Sequence, residues 1–290
     1  MEIQHFTYNA FTIAEGNTRI AIDPGQNLWM FKKKSLIPES EWHNVTHIMV
    51  THGDPDHFKY AVAMAKETKA AVVCGDRLME DFTSAGITST HTISAGQTLS
   101  MNGLTVSGVK VKHGPLPVKM LGGLISITGQ VRESDTGGQE VYLAGFQVQK
   151  IQNPMEVYSH GTVKLLGGLI RLEKDNMDFA RGSIGYLIEI HGKTLLNLGD
   201  SLFLEEWAGL SPDVLMIPIG GGSLPNTMNI TDALKAVSQI SPKLVIPCHY
   251  NVPYGSRRNV NPTDEMHFRN EVVNMGIDCN IMAYGDKINF

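Results

Sequence analysis

Short apolar segments recur along the whole chain and alternate with longer segments of helical periodicity. The short segments predict buried strands, and the longer ones predict helices packed on a sheet. Strands are predicted at residues 3–8, 10–15, 18–22, 47–50, 70–74, 104–112, 183–191, 193–198, 214–217, 244–248 and 277–282, and near His91. Helices are predicted at residues 56–68, 76–85, 229–240 and 262–275.

This alternation predicts an α/β (α+β) fold in which helices cover two facing sheets, a four-layer αββα sandwich. A chain of 290 residues with 42% apolar content can bury one large core. No Ser/Gly/Pro-rich or charged linker divides it. We therefore expect a single domain over residues 1–290 that carries an insertion at residues 115–181.

The insertion contains a short internal repeat. Lys-Met-Leu-Gly-Gly-Leu-Ile at residues 119–125 returns as Lys-Leu-Leu-Gly-Gly-Leu-Ile at residues 164–170, and a His-Gly pair precedes each copy. Two copies are too few for a solenoid and predict two apolar strands of a hairpin or small subdomain. Because exposed apolar strands associate readily, we expect a homo-oligomer.

Four potential metal ligands crowd one turn, Thr-His-Gly-Asp-Pro-Asp-His at residues 51–57. The turn follows the apolar strand at 47–50, and Gly53 and Pro55 interrupt regular structure within it. Imidazole and carboxylate groups both bind divalent transition metals. Carboxylates packed this closely repel each other unless solvated, protonated or paired. The alternatives are a solvated acidic turn with incidental histidines and an Asp-rich helix N-cap.

Three distant residues share the same context, because each follows a predicted strand. His113 follows the alternating segment 104–112, Asp200 follows 194–199, and His249 follows 244–248. In open α/β folds, ligand and catalytic groups gather where strands end. The pattern therefore predicts one metal site built from several strand ends.

These motifs in this order resemble the metallo-β-lactamase-fold superfamily of metal-dependent hydrolases, whose signature is His-x-His-x-Asp-His followed by a lone His, Asp and His. Within it, the chain is most similar to the ascorbate-6-phosphate lactonase type and its uncharacterised relatives. The segments that carry the resemblance are residues 22–24, 51–57, 185–192, 198–201, 218–221 and 246–251.

The resemblance implies two divalent ions, zinc, manganese or iron. Carried over by position, the first ion binds His52, Asp54 and His113. The second binds Asp56, His57 and His249, and Asp200 bridges the two.

Asp54 stands where the family has its second histidine. A carboxylate there hardens the first site and favours manganese or iron relative to zinc. If Asp54 instead turns away, the first site is weak or empty and one ion remains. His160, which precedes the second repeat copy, is an alternative to His113 as the third histidine ligand. We prefer His113, because it ends a well-patterned strand; His160 is then a loop residue or a substrate contact.

The chemistry implied by the resemblance is hydrolysis. A bound metal lowers the pKa of its water to about 7, which provides hydroxide as the nucleophile at neutral pH. Asp56 and Asp200 are also candidate catalytic residues that steer the proton of this water. Asp23 is a candidate acceptor behind a ligand histidine, or else a turn residue before Pro24. The neighbouring residues Arg257 and Arg258 are candidates for binding a substrate carboxylate or phosphate.

The composition adds exclusions. The net charge of −5 provides no basic field for nucleic acid. No apolar stretch reaches the roughly 20 residues of a membrane span, and the first residues do not resemble a signal peptide. Three scattered cysteines, Cys74, Cys248 and Cys279, fit buried thiols in a reducing compartment. We expect a cytoplasmic protein.

The sequence therefore predicts a metal-dependent hydrolase that uses metal-activated hydroxide on a lactone, an ester or a phosphodiester. Its partner would be a small-molecule substrate, and an anionic one would suit the two arginines. Two alternatives stay open. One is a metal-binding protein with a regulatory or assembly role and no hydrolytic activity, and the other is an iron-dependent redox enzyme on the same fold.

Overall fold

The computed structural model describes residues 1–27, 34–101, 103–114, 118–120, 125–133, 139–148, 178–222, 226–254 and 258–290. The strands are β1 (Glu2–His5), β2 (Phe11–Glu15), β3 (Thr18–Ile22), β4 (His47–Val50), β5 (Ala71–Cys74), β6 (Thr90–Thr92), β7 (Thr98–Met101), β8 (Leu104–Val109), β9 (Val118–Met120), β10 (Ile125–Glu133), β11 (Gln139–Val148), β12 (Asp178–Phe179), β13 (Gly185–Ile190), β14 (Lys193–Asn197), β15 (Val214–Pro218), β16 (Leu244–Cys248), β17 (Val252–Tyr254), β18 (Arg258–Val260), β19 (Asp278–Cys279) and β20 (Lys287–Asn289). The α-helices are α1 (Pro55–Phe58), α2 (Ala61–Thr68), α3 (Met79–Ser84), α4 (Ile230–Ile240) and α5 (Glu265–Asn274), and 3-10 turns lie at Glu39–Glu41, Asp76–Leu78 and Glu205–Trp207.

Two seven-stranded mixed sheets form the body of the described protein. The first has the order β20-β1-β2-β3-β4-β5-β6, and β3 to β6 run parallel. The second has the order β19-β16-β15-β14-β13-β8-β7, and β14, β15, β16 and β19 run parallel. Strand β13 is antiparallel to both β8 and β14, so β8 and β14 end at the same edge of the sheet.

Three apolar clusters separate four layers. The central cluster joins the facing sides of the two sheets and includes Ile13, Ile22, Tyr186 and Met216. A second cluster lies between the first sheet and the helices α2 and α3. A third lies between the second sheet and the helices α4 and α5. The predicted αββα sandwich is therefore confirmed.

Helix α4 shows how local sequence produces one of these layers. Its buried residues Ala233, Ala236, Val237 and Ile240 follow the helical period and form one apolar stripe. The side chain of Asn229 accepts a hydrogen bond from the Asp232 N–H at 2.9 Å and begins the helix. Such N-caps satisfy backbone donors that the first helical turn leaves free.

The predicted helix over residues 56–68 is wrong as one unbroken element. The chain forms α1, which ends at Phe58, and then α2, which begins at Ala61. Between them, the Tyr60 N–H donates to the Pro24 carbonyl at 2.9 Å rather than continuing the helical pattern. A tertiary contact therefore interrupts the helix.

The end of the chain also differs from the prediction. Only β19 forms within the strand predicted at 277–282, and the chain closes with β20, which pairs antiparallel with β1. The pattern also missed β7, β17 and β18. Strands β17 and β18 pair over only three residues, and β7 is an edge strand, so their apolar signal is weak.

Residues of the predicted insertion form a separate antiparallel sheet in the order β12-β11-β10-β9. Most of the internal repeat lies outside the described residues, so its interpretation and the boundaries at 115 and 181 stay predictions. No helix in the described segments has the length and apolar character needed to cross a membrane.

Tyr186 links the two sheets through the central cluster. Its hydroxyl donates to the Val50 carbonyl at 2.5 Å and to the Val73 carbonyl at 3.2 Å, both in the opposite sheet. Burial raises the pKa of this hydroxyl well above its usual range, which keeps the donor proton in place.

We expect Tyr186→Phe to lower the free energy of unfolding by about 1–2 kcal/mol, because a buried hydrogen bond is lost without a change of shape. Urea denaturation measures this value. Tyr284→Phe is the matched control, because the Tyr284 hydroxyl donates to the Leu36 carbonyl from an exposed side chain and its loss is expected to cost less than about 0.5 kcal/mol. Equal stability of the two variants would contradict the bridging role.

Candidate metal centre

Four strand ends bring the candidate ligands to one edge of the sandwich. The turn 51–57 follows β4, whereas His113, Asp200 and His249 follow β8, β14 and β16. Because these strands end at the same edge, four side chains of the turn and three that are distant in sequence become neighbours. They are His52, Asp54, Asp56, His57, His113, Asp200 and His249, all of them buried.

One group consists of His52, His113 and Asp200, whose potential ligand atoms lie within 4.8 Å of one another. The Oδ2 atom of Asp54 joins it, at 3.6 Å from His52 Nε2 and 3.8 Å from His113 Nε2. The Asp200 Oδ2 atom lies 3.8 Å from His113 Nε2. These distances suit donors around a common centre, because the metal–ligand distances are near 2 Å.

The second group consists of Asp56, His57 and His249. The Asp56 Oδ2 atom lies 3.7 Å from His57 Nε2 and 3.6 Å from His249 Nε2. Asp200 reaches this group as well, at 3.7 Å from His57 Nε2 and 3.2 Å from His249 Nε2. Its carboxylate therefore lies between the two groups, where a bridging ligand would be.

The chemistry of the histidine donors fits a metal. The Nε2 atoms of His52, His57, His113 and His249 are buried and have no hydrogen-bond partner within the described residues. Buried polar atoms without partners are costly, and four of them converge here beside carboxylates. Neutral imidazole nitrogens aimed at one point are the donors that transition metals bind.

The opposite ring nitrogens are held in place. His57 Nδ1 lies 2.7 Å from Asp23 Oδ2, His113 Nδ1 lies 2.8 Å from the Gly114 carbonyl, and His52 Nδ1 lies 3.1 Å from Thr51 Oγ1. Oxygen acceptors at Nδ1 fix the proton there and leave Nε2 free to bind a metal. Three of the four imidazoles are therefore oriented as ligands.

His249 has an amide in the same position. Asn261 Nδ2 lies 3.2 Å from His249 Nδ1, and Asn261 Oδ1 is buried without a partner among the described residues. A 180° rotation of this amide would bring its oxygen to His249 Nδ1, so Asn261 can also accept a hydrogen bond from the Nδ1–H group.

The cluster favours positive charge at its centre. Burial opposes the charged form of His57, but Asp200, Asp56 and Asp23 outweigh it and raise the pKa of His57 to about 10. Burial also opposes ionisation of Asp54, yet His52 and His113 hold the pKa of this carboxyl well below its usual range. Protons or divalent cations can supply the charge that these carboxylates demand.

Asp54 faces the first group and does not turn away from it. Its Oδ1 atom accepts a hydrogen bond from the Ala180 N–H at 2.6 Å, which leaves Oδ2 directed at His52 and His113. Ala180 has a φ of 57°, a left-handed conformation that few non-glycine residues adopt. The backbone at the end of the predicted insertion therefore orients this carboxylate.

Asp23 lies behind the cluster as a buried acceptor. It accepts from the Thr51 N–H at 2.7 Å, from Thr51 Oγ1 at 2.6 Å and from Asn9 Nδ2 at 2.7 Å, besides its contact with His57. The contact predicted for it, with a ligand histidine, is thus present, although its role stays a prediction.

Two glycines allow the close approach of the segments that carry these groups. A Cβ atom on Gly25 would overlap the backbone of Asp56 and His57. Gly199 has a φ of 55°, and a Cβ there would lie 2.8 Å from Thr51 Cβ. Any larger residue would therefore separate the turn 51–57 from its partners.

Several asparagines complete the site and were not identified from the sequence. Asn226 Nδ2 donates to Asp200 Oδ2 at 3.0 Å, and the backbone carbonyl of Asn226 accepts from the Gly114 N–H at 2.7 Å. Asn9, Asn197 and Asn261 are likewise buried, and of these three Asn261 lies against His249. A polar residue inside an apolar segment, such as Asn197 in Leu-Leu-Asn-Leu, was the available signal.

Three candidates lie beyond what the structure describes. His160 and Arg257 fall outside the described residues, and Arg258 lies in β18 without a described side chain. Their roles stay predictions, as does the assignment of the seven clustered side chains as metal ligands.

Comparisons with known proteins agree with this architecture. Igni18, a metallo hydrolase from Ignicoccus hospitalis, aligns with a TM-score of 0.65 at 20% identity over 100% of this chain and 97% of its own. CmlA, a diiron β-hydroxylase from Streptomyces venezuelae, aligns with a TM-score of 0.62 at 11% identity over 100% of this chain and 54% of its own. At these identities the likeness establishes the fold alone. YhfI from Bacillus subtilis, which aligns with a TM-score of 0.59 at 12% identity over 99% of both chains, is described as a metallo-beta-lactamase fold protein.

The sequence comparisons identify the family. A model described as the beta-lactamase superfamily domain matches residues 2–127 and 126–249, and the chain therefore belongs to this superfamily. A UPF0173 metal-dependent hydrolase from Alkaliphilus metalliredigens is 25% identical over 260 residues, which cover 87% of this chain and 86% of the relative. The narrower resemblance to the ascorbate-6-phosphate lactonase type stays a prediction.

We expect His113→Ala to lose bound metal and His160→Ala to retain it, because His113 Nε2 lies within the cluster. Metal content after purification, measured by mass spectrometry, distinguishes the two variants. His91→Ala, which removes an exposed histidine of β6, serves as the control and should match the unmodified protein. Full metal retention in His113→Ala together with loss in His160→Ala would reverse the assignment.

Proposed function

We propose that this protein is a metal-dependent hydrolase with a two-metal site, and that it acts on a lactone, an ester or a phosphodiester. The observation that carries the proposal is a set of four buried Nε2 atoms that have no hydrogen-bond partner among the described residues. Those of His57, His113 and His249 lie within 3.8 Å of the Asp200 carboxylate, and His52 belongs to the same group as Asp200. The relative from Alkaliphilus metalliredigens and the structural neighbour Igni18 are named as hydrolases, which supports the reaction class.

In this proposal the chain's own residues hold two ions. His52, Asp54 and His113 would hold the first ion, and Asp56, His57 and His249 would hold the second. Asp200 lies between them. Divalent ions in such a site would make water nucleophilic at neutral pH and polarise the scissile carbonyl or phosphoryl group.

Asp56 and Asp200, which are ligands first in this proposal, would also steer the proton of the attacking water. The Oδ1 atom of Asp200 has no hydrogen-bond partner among the described residues and lies 3.7 Å from His57 Nε2, so it is available to the second group. Asp23 would keep the Nδ1 proton on His57, so that Nε2 of His57 stays a metal ligand and does not take the proton of the attacking water.

The proposal is tested by metal content together with substrate panels. We expect close to two metal ions per chain and hydrolysis of a member of a lactone, ester or phosphodiester panel. Removal of the metal by a chelator should abolish turnover, and addition of Mn²⁺, Fe²⁺ or Zn²⁺ should restore it. Stoichiometric metal without turnover across all three panels would favour a regulatory or assembly role. Oxygen-dependent oxidation by an iron-loaded protein would favour a redox enzyme.

The identity of the metal is expected to depend on Asp54. A charged oxygen ligand is harder than the imidazole that the family has there, and hard ligands favour manganese and iron relative to zinc. In support, the Asp54 Oδ2 atom faces both His52 and His113.

We expect Asp54→Asn to weaken Mn²⁺ binding by roughly tenfold or more and to weaken Zn²⁺ binding less, because the neutral amide removes a charge that the harder ion needs. Competitive titration of the metal-free protein measures both affinities. The matched control is Asp232→Asn, since the Asp232 carboxylate lies 3.5 Å from Lys235 Nζ on helix α4, outside the cluster. Equal losses for both ions would exclude this role of Asp54 in selectivity.

The remaining proposals concern the setting of the protein. A cytoplasmic location is supported by Cys74, Cys248 and Cys279, which are buried and free among the described residues. The proposed partner is a small-molecule substrate. The proposed homo-oligomer rests on the apolar repeat within the insertion.

A further inference from the structure

Asn9 occupies a buried position between the two sheets, directly beneath the proposed metal centre. It lies in the turn after β1, where the Ala10 N–H donates to the Thr7 carbonyl at 3.0 Å. Thr7 and Tyr8 have φ angles of 73° and 46°, left-handed conformations that non-glycine residues adopt only when their surroundings hold them. This strained turn delivers the Asn9 amide to the interior, where it is fully buried.

The Asn9 amide uses its whole hydrogen-bonding capacity. Its Nδ2 donates to Asp23 Oδ2 at 2.7 Å and to Asn197 Oδ1 at 2.9 Å. Its Oδ1 accepts from Asn197 Nδ2 at 3.0 Å and from Cys248 Sγ at 3.4 Å. An amide can offer two donors and accept twice, so none of this capacity is free for a ligand.

The orientation of the amide pair follows from its neighbours. Asn197 Oδ1 also accepts from the Gly199 N–H at 3.0 Å, so this atom must be the oxygen. The atom of Asn9 that faces it must then be the nitrogen, and the same nitrogen meets the carboxylate of Asp23. Only an amide at position 9 satisfies both acceptors and both donors at once.

Each partner of Asn9 leads directly to a proposed ligand. Asp23 holds Nδ1 of His57 and both polar atoms of Thr51, whose hydroxyl meets His52 Nδ1. Asn197 holds the Gly199 N–H, which immediately precedes Asp200.

The third connection leads to His249. Cys248, which donates to Asn9, immediately precedes it. The His249 N–H donates to the carbonyl of Tyr8 at 2.9 Å, in the same turn as Asn9. The amide thus connects ligands from both sheets and from both metal groups.

We infer that Asn9 is a positioning residue that sets the spacing between the two halves of the metal centre; the inference rests on the two-metal site proposed above. Asn9 touches no proposed ligand side chain itself. It acts through Asp23, Asn197 and Cys248. Residues that hold a ligand directly, as Asp23 holds His57, typically change metal affinity 10- to 100-fold when they are replaced, and Asn9 acts through such a residue.

The test measures binding of Co²⁺ to the metal-free protein, because the visible absorption of Co²⁺ reports its coordination geometry. We expect Asn9→Ala to bind Co²⁺ roughly 10- to 100-fold more weakly and with an altered spectrum. Asn197→Ala breaks the same connection and leaves the Asn9–Asp23 contact in place. It should weaken binding in the same direction, and it decides the matter if Asn9→Ala does not fold.

Thr194→Val is the matched control, because it lies on the same strand, β14, at the end remote from the cluster. It removes the hydroxyl bonds between Thr194 and Asp213, so it should lower the melting temperature without changing Co²⁺ affinity or spectrum. Wild-type affinity and spectrum in a folded Asn9→Ala would overturn the inference and leave the proposed function intact. No Co²⁺ binding by the unmodified protein would overturn both.

Discussion

The buried carboxylate of Asp23 is the interaction on which the rest of the site depends. It follows β3 in a left-handed conformation, with a φ of 46°, and is completely enclosed. A buried carboxyl group is stable only if its oxygens are hydrogen-bonded, and Thr51, His57 and Asn9 together supply these bonds. These bonds hold the turn 51–57 in its position relative to the first sheet.

Electrostatic demand and packing act in the same direction at this edge of the sandwich. Asp54, Asp56 and Asp200 are buried together with four imidazoles, and the field of the carboxylates raises the pKa of His57 to about 10. A fold that only needed stability would gain little from so many buried charges. Such a group of charges, placed where several strands end, is typical of a functional site and suits the binding of a cation.

The end of the predicted insertion belongs to the site as well. The Ala180 N–H holds Asp54, the Arg181 carbonyl accepts from the Gly53 N–H at 2.9 Å, and the Ile184 N–H donates to the Thr51 carbonyl at 2.8 Å. The backbone that leads out of the predicted insertion therefore runs along the turn 51–57.

The sequence by itself determined the layer architecture and the seven clustered side chains, because apolar periodicity and strand-end polar residues are local signals. It also indicated Asp23, through its place directly after a strand. The tertiary structure alone decided which way Asp54 points and where the helix after the turn 51–57 is interrupted. It also decided that Asn9, Asn197, Asn226 and Asn261 make hydrogen bonds at or behind the clustered side chains. Each of these depends on a hydrogen bond between segments far apart in the chain, such as Asn9 with Asn197, and no local pattern of residues encodes such a contact.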